Sequence, residues 1–313
     1  MPARAEGDGG HPLAVALRLL CADGPGEVFH DPRSWPRWAV LLPHALAVTS
    51  YLDREKAPPA GELEDASWLL DRAGTYLRVR ARLNDARPLY ERALAIDEAA
   101  RGPDHPTVAT ALNNLALVLG DLGHPEQAQP LLERALAIYE AARGPDHPTV
   151  ATALNNLAGT LDDLGHPEQA QPLLERALAI DEAAYGPDHP EVAADLNNLA
   201  AILSDLGHPE QAQPLVERAL AIAEAGYGPD HPNVATALSN LALALGALGH
   251  LEQALPLYER ALAIVEAAYG PDHPTVAAAL SNLAGALGAL GHPEQAQIVL
   301  ERGRAVNRGS GQG

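Results

Sequence analysis

An asparagine returns at one place in five consecutive segments of this chain, each time directly before the pair Leu-Ala. It recurs every 42 residues, at Asn114, Asn156, Asn198, Asn240 and Asn282. A carboxamide offers both donors and an acceptor, so it pairs with a peptide backbone whatever side chains that peptide carries. The row therefore raises the hypothesis of a site that binds an extended ligand by its main chain. Two alternatives stay open: the asparagines bridge neighbouring segments, or they are merely copied by duplication.

Histidine recurs with the same period, in two sets of five: His105, His147, His189, His231 and His273, then His124, His166, His208, His250 and His292. A zinc site needs all its ligands within about 2.1 Å of one ion. Equivalent residues of stacked helix pairs lie on the order of 10 Å apart. We therefore predict no metal, and expect these histidines to cap helices beside the prolines that follow them.

Nothing in the chain converges on catalysis. Cys21 is the single cysteine, and no G-x-S-x-G string surrounds a serine. Asp162 and Asp163 are neighbours on a predicted helix, so their side chains point apart. Lys56, the only lysine, stands between Glu55 and Ala57, so no G-x-x-x-x-G-K-[ST] phosphate-binding loop exists. We predict a protein that is not an enzyme and uses no cofactor.

The 42-residue period must position these side chains. Residues 107–148 and 149–190 are identical at 37 of 42 positions, so each unit builds the same structure. The first half carries apolar residues at helical spacing from about Thr107 to Leu122, where Gly123 ends the helix. HPEQ then begins a second helix that runs to Gly144, and PDHP leads into the next unit.

The pattern L-N-N-L-A-x-x-L-x-x-x-G-x-x-x-x-A-x-x-L-x-x-R-A-L-x-I resembles the tetratricopeptide repeat. The period and the GPDHP linker are similar to the subtype of kinesin light chains, which also occurs at the C-terminal end of bacterial NB-ARC-type signalling ATPases. The run WPRW…LLPHALAVTSYL resembles the junction that precedes the repeats in those ATPases. The resemblance implies an all-α, right-handed superhelical solenoid of helix-turn-helix repeats with an N-terminal helical cap.

The predicted organisation has three parts. Residues 1–64 form a helical cap and linker, with helices expected at 11–20 and 35–52, and Trp35, Trp38 and Leu42 covering the first repeat. Residues 304–313 are the end of the last helix and a flexible tail. The array between them spans 65–303 and holds six repeats: 65–106, 107–148, 149–190, 191–232, 233–274 and 275–303.

In such arrays the first helices line a concave groove, and the resemblance implies that the asparagine clamps a ligand's backbone there. On the same arc we expect Asp121, Asp163 and Asp205, whereas Ala247 and Ala289 replace them later. Arg72 takes the asparagine's place in the first repeat. This distribution favours a protein or peptide partner with basic residues at one end, although the carboxylates could equally be ordinary solvated side chains.

Composition restricts the class of protein further. The net charge of −20 over 313 residues repels phosphate backbones, so we expect no nucleic-acid partner. No apolar run approaches the roughly 20 residues of a membrane span, and no signal peptide is evident, so we expect a cytoplasmic bacterial protein. The leading hypothesis is a non-catalytic scaffold. The alternatives are the sensor arm of an NB-ARC-type switch in signal transduction, with its ATPase on another chain, and a self-associating array.

Overall fold

The computed structural model describes residues 12–26, 28, 32–52 and 59–310. Within these ranges the regular structure is entirely helical, which confirms the predicted all-α class. One 3-10 turn spans Pro32–Ser34. The helices are α1 Pro12–Asp23, α2 Trp35–Leu52, α3 Ala60–Val79, α4 Leu83–Arg101, α5 Pro106–Asp121, α6 Pro125–Arg143, α7 Pro148–Asp163, α8 Pro167–Tyr185, α9 Pro190–Asp205, α10 Pro209–Tyr227, α11 Pro232–Ala247, α12 Leu251–Tyr269, α13 Pro274–Ala289 and α14 Pro293–Ser310.

The chain forms two compact units that divide between Ala142 and Arg143, inside the predicted repeat 107–148. In the N-terminal unit α1 and α2 pack on α3, which pairs with α4, and α4 packs on α5. In the C-terminal unit the pairs α7–α8, α9–α10, α11–α12 and α13–α14 follow one another, each second helix packing on the next first helix. Consecutive helix pairs of this kind are typical of a tetratricopeptide solenoid.

The linker GPDHP ends one helix and starts the next. Gly102 adopts a φ of +88°, which favours glycine, and its N–H donates to the carbonyl of Glu98 at 3.0 Å. Three residues later, Nδ1 of His105 accepts the N–H of Thr107 at 3.3 Å, a helix N-cap made by an imidazole. Pro106 occupies the first helical position, where a missing N–H breaks no bond. The same local chemistry therefore redirects the chain at every repeat.

Within a repeat the turn between the two helices is a Schellman motif. The N–H of Gly123 donates to the carbonyl of Gly120 at 2.8 Å, and the N–H of His124 donates to that of Leu119 at 2.9 Å. Gly123 has a φ of +79°, so a side chain there would strain the backbone. This turn holds the two helices of each pair antiparallel and close.

Small and large residues alternate in the core. Ala128 and Ala135 are fully buried on α6, beside the equally buried Leu112 and Leu132. The methyl groups let the helices approach, and the leucines fill the space between them. A bulkier residue at either alanine would cost roughly 1–3 kcal/mol in overpacking.

Arginine links the second helices of successive repeats. Arg134 binds Glu98 at 2.7 Å and donates to the carbonyl of Pro103 at 2.8 Å. The equivalent Arg260 binds Glu224 at 2.8 Å and the carbonyl of Pro229 at 3.1 Å. A guanidinium is suited to this double task because it carries several donors in a fixed plane. The linker is thereby tied to the helix of the following repeat.

The N-terminal helices cover the first repeat. Trp38 is fully buried in one apolar cluster with Leu69 and Ala73 of α3, and its Nε1 donates to the carbonyl of Pro25 at 3.0 Å. Leu42 packs against the same cluster, and Trp35 donates to the carbonyl of Val28 at 3.0 Å. The predicted helix at 35–52 matches α2. The helix predicted at 11–20 corresponds to α1, which continues to Asp23, and residue 11 lies outside the described residues.

The last helix has 18 residues, one fewer than each of the other second helices. α14 continues to Ser310, so of the predicted tail only residues 311–313 remain, and they lie outside the described residues. Gly303 is buried beside Leu280, whereas Arg304 is exposed. A charged residue at this position is consistent with the end of an array, where no further repeat packs.

Candidate functional site: the polar row on the first helices

The recurring asparagines form hydrogen bonds to the preceding repeat. In the N-terminal unit, Nδ2 of Asn114 on α5 donates to Oδ1 of Asp71 on α3 at 2.6 Å. In the C-terminal unit, Asn198 donates to Oδ1 of Asn155 at 3.2 Å, and Asn240 donates to the carbonyl of Asn197 at 3.3 Å. The donor lies 43 residues after its acceptor in all three pairs. The hypothesis that these asparagines bridge neighbouring repeats is therefore confirmed for Asn114, Asn198 and Asn240.

These bonds leave part of each amide for further partners. Each of them uses the Nδ2 group, whereas a carboxamide offers a second N–H and an acceptor oxygen as well. Asn114, Asn156 and Asn240 are half-buried, and Asn198 and Asn282 are exposed. The bridging bond also fixes the direction in which an amide points. Asn114, Asn198 and Asn240 are thus each held by a bond and remain partly accessible.

The three aspartates of the predicted arc differ in their surroundings. Asp121 forms an ion pair with Arg78, whose Nε lies 2.5 Å from Oδ2. Asp163 and Asp205 are exposed. The pKa of Asp162 is raised mainly by burial, and the nearby carboxylates of Asp205 and Asp163 raise it further. The acidic surface of the C-terminal unit therefore gathers Asp162, Asp163 and Asp205.

Arg78 is a residue that sequence reasoning missed. It belongs to the degenerate first repeat, at the position where the next repeat has Gly120. The signal that would have found it is the 43-residue offset, which joins Arg78 to Asp121 as it joins Asp71 to Asn114. Asp121 therefore lies against a cation, Arg78, and its expected contact with a basic ligand stays a prediction.

Arg72 stands where the later repeats have asparagine. Its guanidinium carbon lies 5.9 Å from the centre of the Trp68 ring, and its Nε lies 3.9 Å from Oδ2 of Asp71. The half-buried guanidinium is held between an aromatic face and a carboxylate. It therefore marks the beginning of the polar row with a cation rather than an amide.

The histidine prediction was right for one set and wrong for part of the other. His105, His147, His189, His231 and His273 each cap a first helix through the ring. His166, His208 and His250 make no side-chain cap bond. Their backbone has ψ near 50°, whereas a capping residue needs the extended conformation to turn its side chain toward the helix N–H groups.

Tyrosines pack against three of the linkers. Tyr185, Tyr227 and Tyr269 stack on the capping histidine four residues later, with ring centres 4.4 to 4.8 Å apart. Among the described residues, no group of three His, Cys, Asp or Glu side chains is placed to hold a metal ion. His189, His231 and His273 therefore contact a tyrosine ring in addition to the helix that they cap.

The single thiol is unreactive in this environment. Cys21 donates to the carbonyl of Asp65 at 3.5 Å, and burial, together with the nearby Asp65 carboxylate, raises its pKa to about 12. A thiol protonated at neutral pH is a weak nucleophile.

Across the described helices, none combines the length and the apolar character needed to cross a membrane.

Comparison with known proteins identifies the class. A family model described as "Tetratricopeptide repeat" matches residues 64–141, 125–183, 167–225, 196–267 and 247–308. These overlapping matches extend over well more than half of the chain. The chain belongs to the tetratricopeptide repeat family, whose members are generally non-catalytic scaffolds.

Solved structures show the same architecture. A Podosopora anserina protein with nearly identical TPR-like repeats, described as a kinesin light chain, is 28% identical, with a TM-score of 0.51 over 67% of this chain and 99% of that chain. The apo form of RapI is 14% identical, with a TM-score of 0.71 over 95% and 99% of the two chains. A Rap protein complexed with Competence and Sporulation Factor is 15% identical, with a TM-score of 0.60 over 96% and 98%. The two Rap likenesses concern the fold alone. No curated protein matches the chain at a significant level.

Proposed function

We propose that this protein is a non-catalytic scaffold that binds an extended peptide or a segment of a partner protein along its first helices. The observation that carries the proposal is the row of half-buried and exposed asparagines, fixed by bonds such as that from Asn240 to the carbonyl of Asn197. Because these amides are already fixed, they lose less conformational entropy when a ligand binds. Backbone recognition of this kind accepts many sequences, and flanking carboxylates would add a preference for basic ligands.

The acidic surface supports that preference in the C-terminal unit. Asp162, Asp163 and Asp205 lie close together there, and burial and mutual repulsion raise the pKa of Asp162. A ligand with lysine or arginine near this point would relieve the repulsion. The solved complex of a Rap protein with Competence and Sporulation Factor shows that a related fold occurs in a complex, which is consistent with a ligand-binding role.

The test compares two pairs of carboxamides in the C-terminal unit. A library of random displayed peptides is selected on the native chain, and the affinity of the selected peptides is measured by fluorescence anisotropy. In the variant Asn198→Ala/Asn240→Ala, each lost bond should cost roughly 1 kcal/mol, so affinity should fall about 10- to 30-fold. The control is Gln171→Ala/Gln213→Ala, which removes two amides that bond within α8 and α10.

Two results would contradict the proposal. The first is a library from which no peptide is selected. The second is a set of peptides that bind the native chain and the asparagine variant equally well. Thermal denaturation of both variants shows whether a loss of binding comes from a loss of folding.

The N-terminal helices favour a second candidate, the sensor arm of an NB-ARC-type switch. The run that resembles the junction in those ATPases forms the single helix α2, joined to the first repeat by the buried Trp38. An NB-ARC ATPase from the same genome would then change its rate of ATP hydrolysis when this chain is added. An unchanged rate would exclude the switch. Light scattering over a range of concentrations separates either function from self-association.

A further inference from the structure

The first repeat departs from the next one at six positions that surround a single cleft. The cleft has a volume of about 470 Å³ and lies in the N-terminal unit, among α1, α3, α4 and α5. One repeat later, the equivalent positions hold Thr107, Ala109, Thr110, Asn113, Asn114 and Tyr139. The six departures that line the cleft are Asp65, Ser67, Trp68, Asp71, Arg72 and Asp97. Stacking of repeats alone does not require these residues.

At the position of Asp97, the next repeat carries a larger side chain, Tyr139. On α6, Tyr139 is buried, and its hydroxyl lies 2.9 Å from Oγ1 of Thr110 on α5, so the ring fills the space between the two helices of the pair. Asp97 is its equivalent on α4, and its side chain is far shorter. Unfilled space in a protein forfeits contacts and costs stability. A hollow lined by polar groups is better explained by a ligand than by packing.

The carboxyl groups in the cleft are partnered mainly by neutral groups. Asp97 is 9% exposed and is hydrogen-bonded by Ser67, Asp71 accepts from Asn114 at 2.6 Å, and Asp65 is hydrogen-bonded by Cys21. Burial is the first cause that raises the pKa of all three aspartates. Charged neighbours lower these pKa values but do not cancel the rise: Arg18 at Asp65, Arg72 at Asp71, and Arg101 and His105 at Asp97.

The balance of charge in the cleft is negative. Its lining has four acidic residues, Glu64 with the three aspartates, and two arginines, which leaves 2 − 4 = −2. Arg101 is already bound to Glu64 at 3.0 Å, and Arg72 lies against Asp71 and Trp68. An anionic ligand would meet more carboxylates than guanidinium groups. A cation would instead let the buried carboxyl groups ionise with a partner.

We propose that this cleft binds the cationic end of an arginine or lysine side chain carried by a peptide ligand. The Asp97 carboxylate receives the charge, and the Trp68 ring, which already contacts Arg72, forms part of the cleft wall. The inference rests on the proposed function, because it names the side chain that a bound peptide would insert. It adds a specific pocket to a mode of binding that is otherwise indifferent to sequence.

The test uses a probe too short to occupy the asparagine row. Nα-acetyl-arginine methylamide is titrated into the full ¹⁵N-labelled chain while the indole N–H signal of Trp68 is followed by NMR. We expect a saturable shift, at least about tenfold weaker binding in Asp97→Asn, and no saturation with the neutral citrulline analogue. The matched control Asp104→Asn removes an exposed aspartate of the linker and should bind as the native chain does.

Three results would overturn the inference: no saturable shift, equal binding of arginine and citrulline, or tighter binding of Nα-acetyl-glutamate methylamide. Asp97→Asn keeps the size of the side chain, and its melting curve verifies folding. Asp97→Tyr, which installs the residue of the next repeat, should abolish binding by filling the cleft. If the arginine probe binds but no displayed peptide does, the cleft stands and the scaffold proposal fails. If selected peptides that lack a basic residue bind and the arginine probe does not bind, the scaffold proposal stands and the cleft proposal fails.

Discussion

The carboxyl groups of Asp181 on α8 and Asp195 on α9 interact with each other in the interior, and the two residues are only 5% and 1% exposed. Two buried carboxylates repel each other unless one of them carries a proton. Oδ1 of Asp195 also accepts from Nδ2 of Asn155 at 2.5 Å, so the pair is connected to the polar row. Burial is the main cause that raises the pKa of Asp181 to about 6 and that of Asp195 to about 7. Glu191 adds to both shifts, whereas His189 lowers that of Asp181.

We expect the C-terminal unit to be more stable at pH 5 than at pH 8. A pKa raised above its ordinary value of 3.8 means that the folded state binds more protons than the unfolded state, so stability falls as pH rises from about 4 to about 7. The loss should be at least about 1 kcal/mol, or a few degrees in Tm. Calorimetry at both pH values measures it. In Asp195→Ala the difference between the two pH values should shrink; an unchanged difference would refute the assignment to this pair.

The same substitution should raise stability at pH 8. Alanine is the residue that four of the other repeats place at this position, as Ala111, Ala153, Ala237 and Ala279. Asp195→Ala removes a buried charge without creating a shape that the fold does not already use. The converse variant, Ala237→Asp, places a carboxyl opposite the buried Ala223 and should lower Tm by several degrees. Denaturation of both variants at pH 8 measures their stability. The prediction fails if Asp195→Ala is less stable than Ala237→Asp.

The bridging role of the asparagines gives a separate prediction. Asn240→Ala should lower the free energy of unfolding by about 0.5–1 kcal/mol, because it removes the bond to the carbonyl of Asn197. Asn282→Ala is the matched control, since Asn282 is exposed and the residue 43 positions before it is Ser239. Urea denaturation compares the two variants. Equal losses would show that the bond to Asn197 contributes nothing measurable.

Periodicity predicted the fold well because each helix boundary is encoded locally. Gly123 needs its positive φ, and Pro106 fits the first position of a helix, so both boundaries could be predicted from the sequence. Pro130 is the exception. It lies inside α6, where proline usually breaks a helix, yet α6 continues to Arg143 and buries Ala128, Leu132 and Ala135, whose packing offsets the lost bond.

Contacts between repeats were harder to predict. The bonds that Asn114 donates to Asp71 and that Arg78 donates to Asp121 depend on the register between successive first helices, which a 42-residue period does not reveal. Asp195 looked like one more polar residue in a helix. Its environment depends on α8, whose Asp181 replaces the tyrosine of the preceding repeat. The contacts between repeats therefore depend on side chains that differ from the repeated pattern.

The two sets of histidines provide a matched test of helix capping. His147→Ala should cost about 1 kcal/mol of stability, because Nδ1 of His147 accepts the N–H of Thr149 at 3.2 Å at the start of α7. His166→Ala, at the start of α8 in the same unit, should cost almost nothing, since His166 makes no cap bond. His147→Asn should retain most of the stability, because asparagine is a preferred N-cap residue. Chemical denaturation of the three variants at pH 8 measures the order, and equal losses for His147→Ala and His166→Ala would mean that the imidazole does not stabilise the helix.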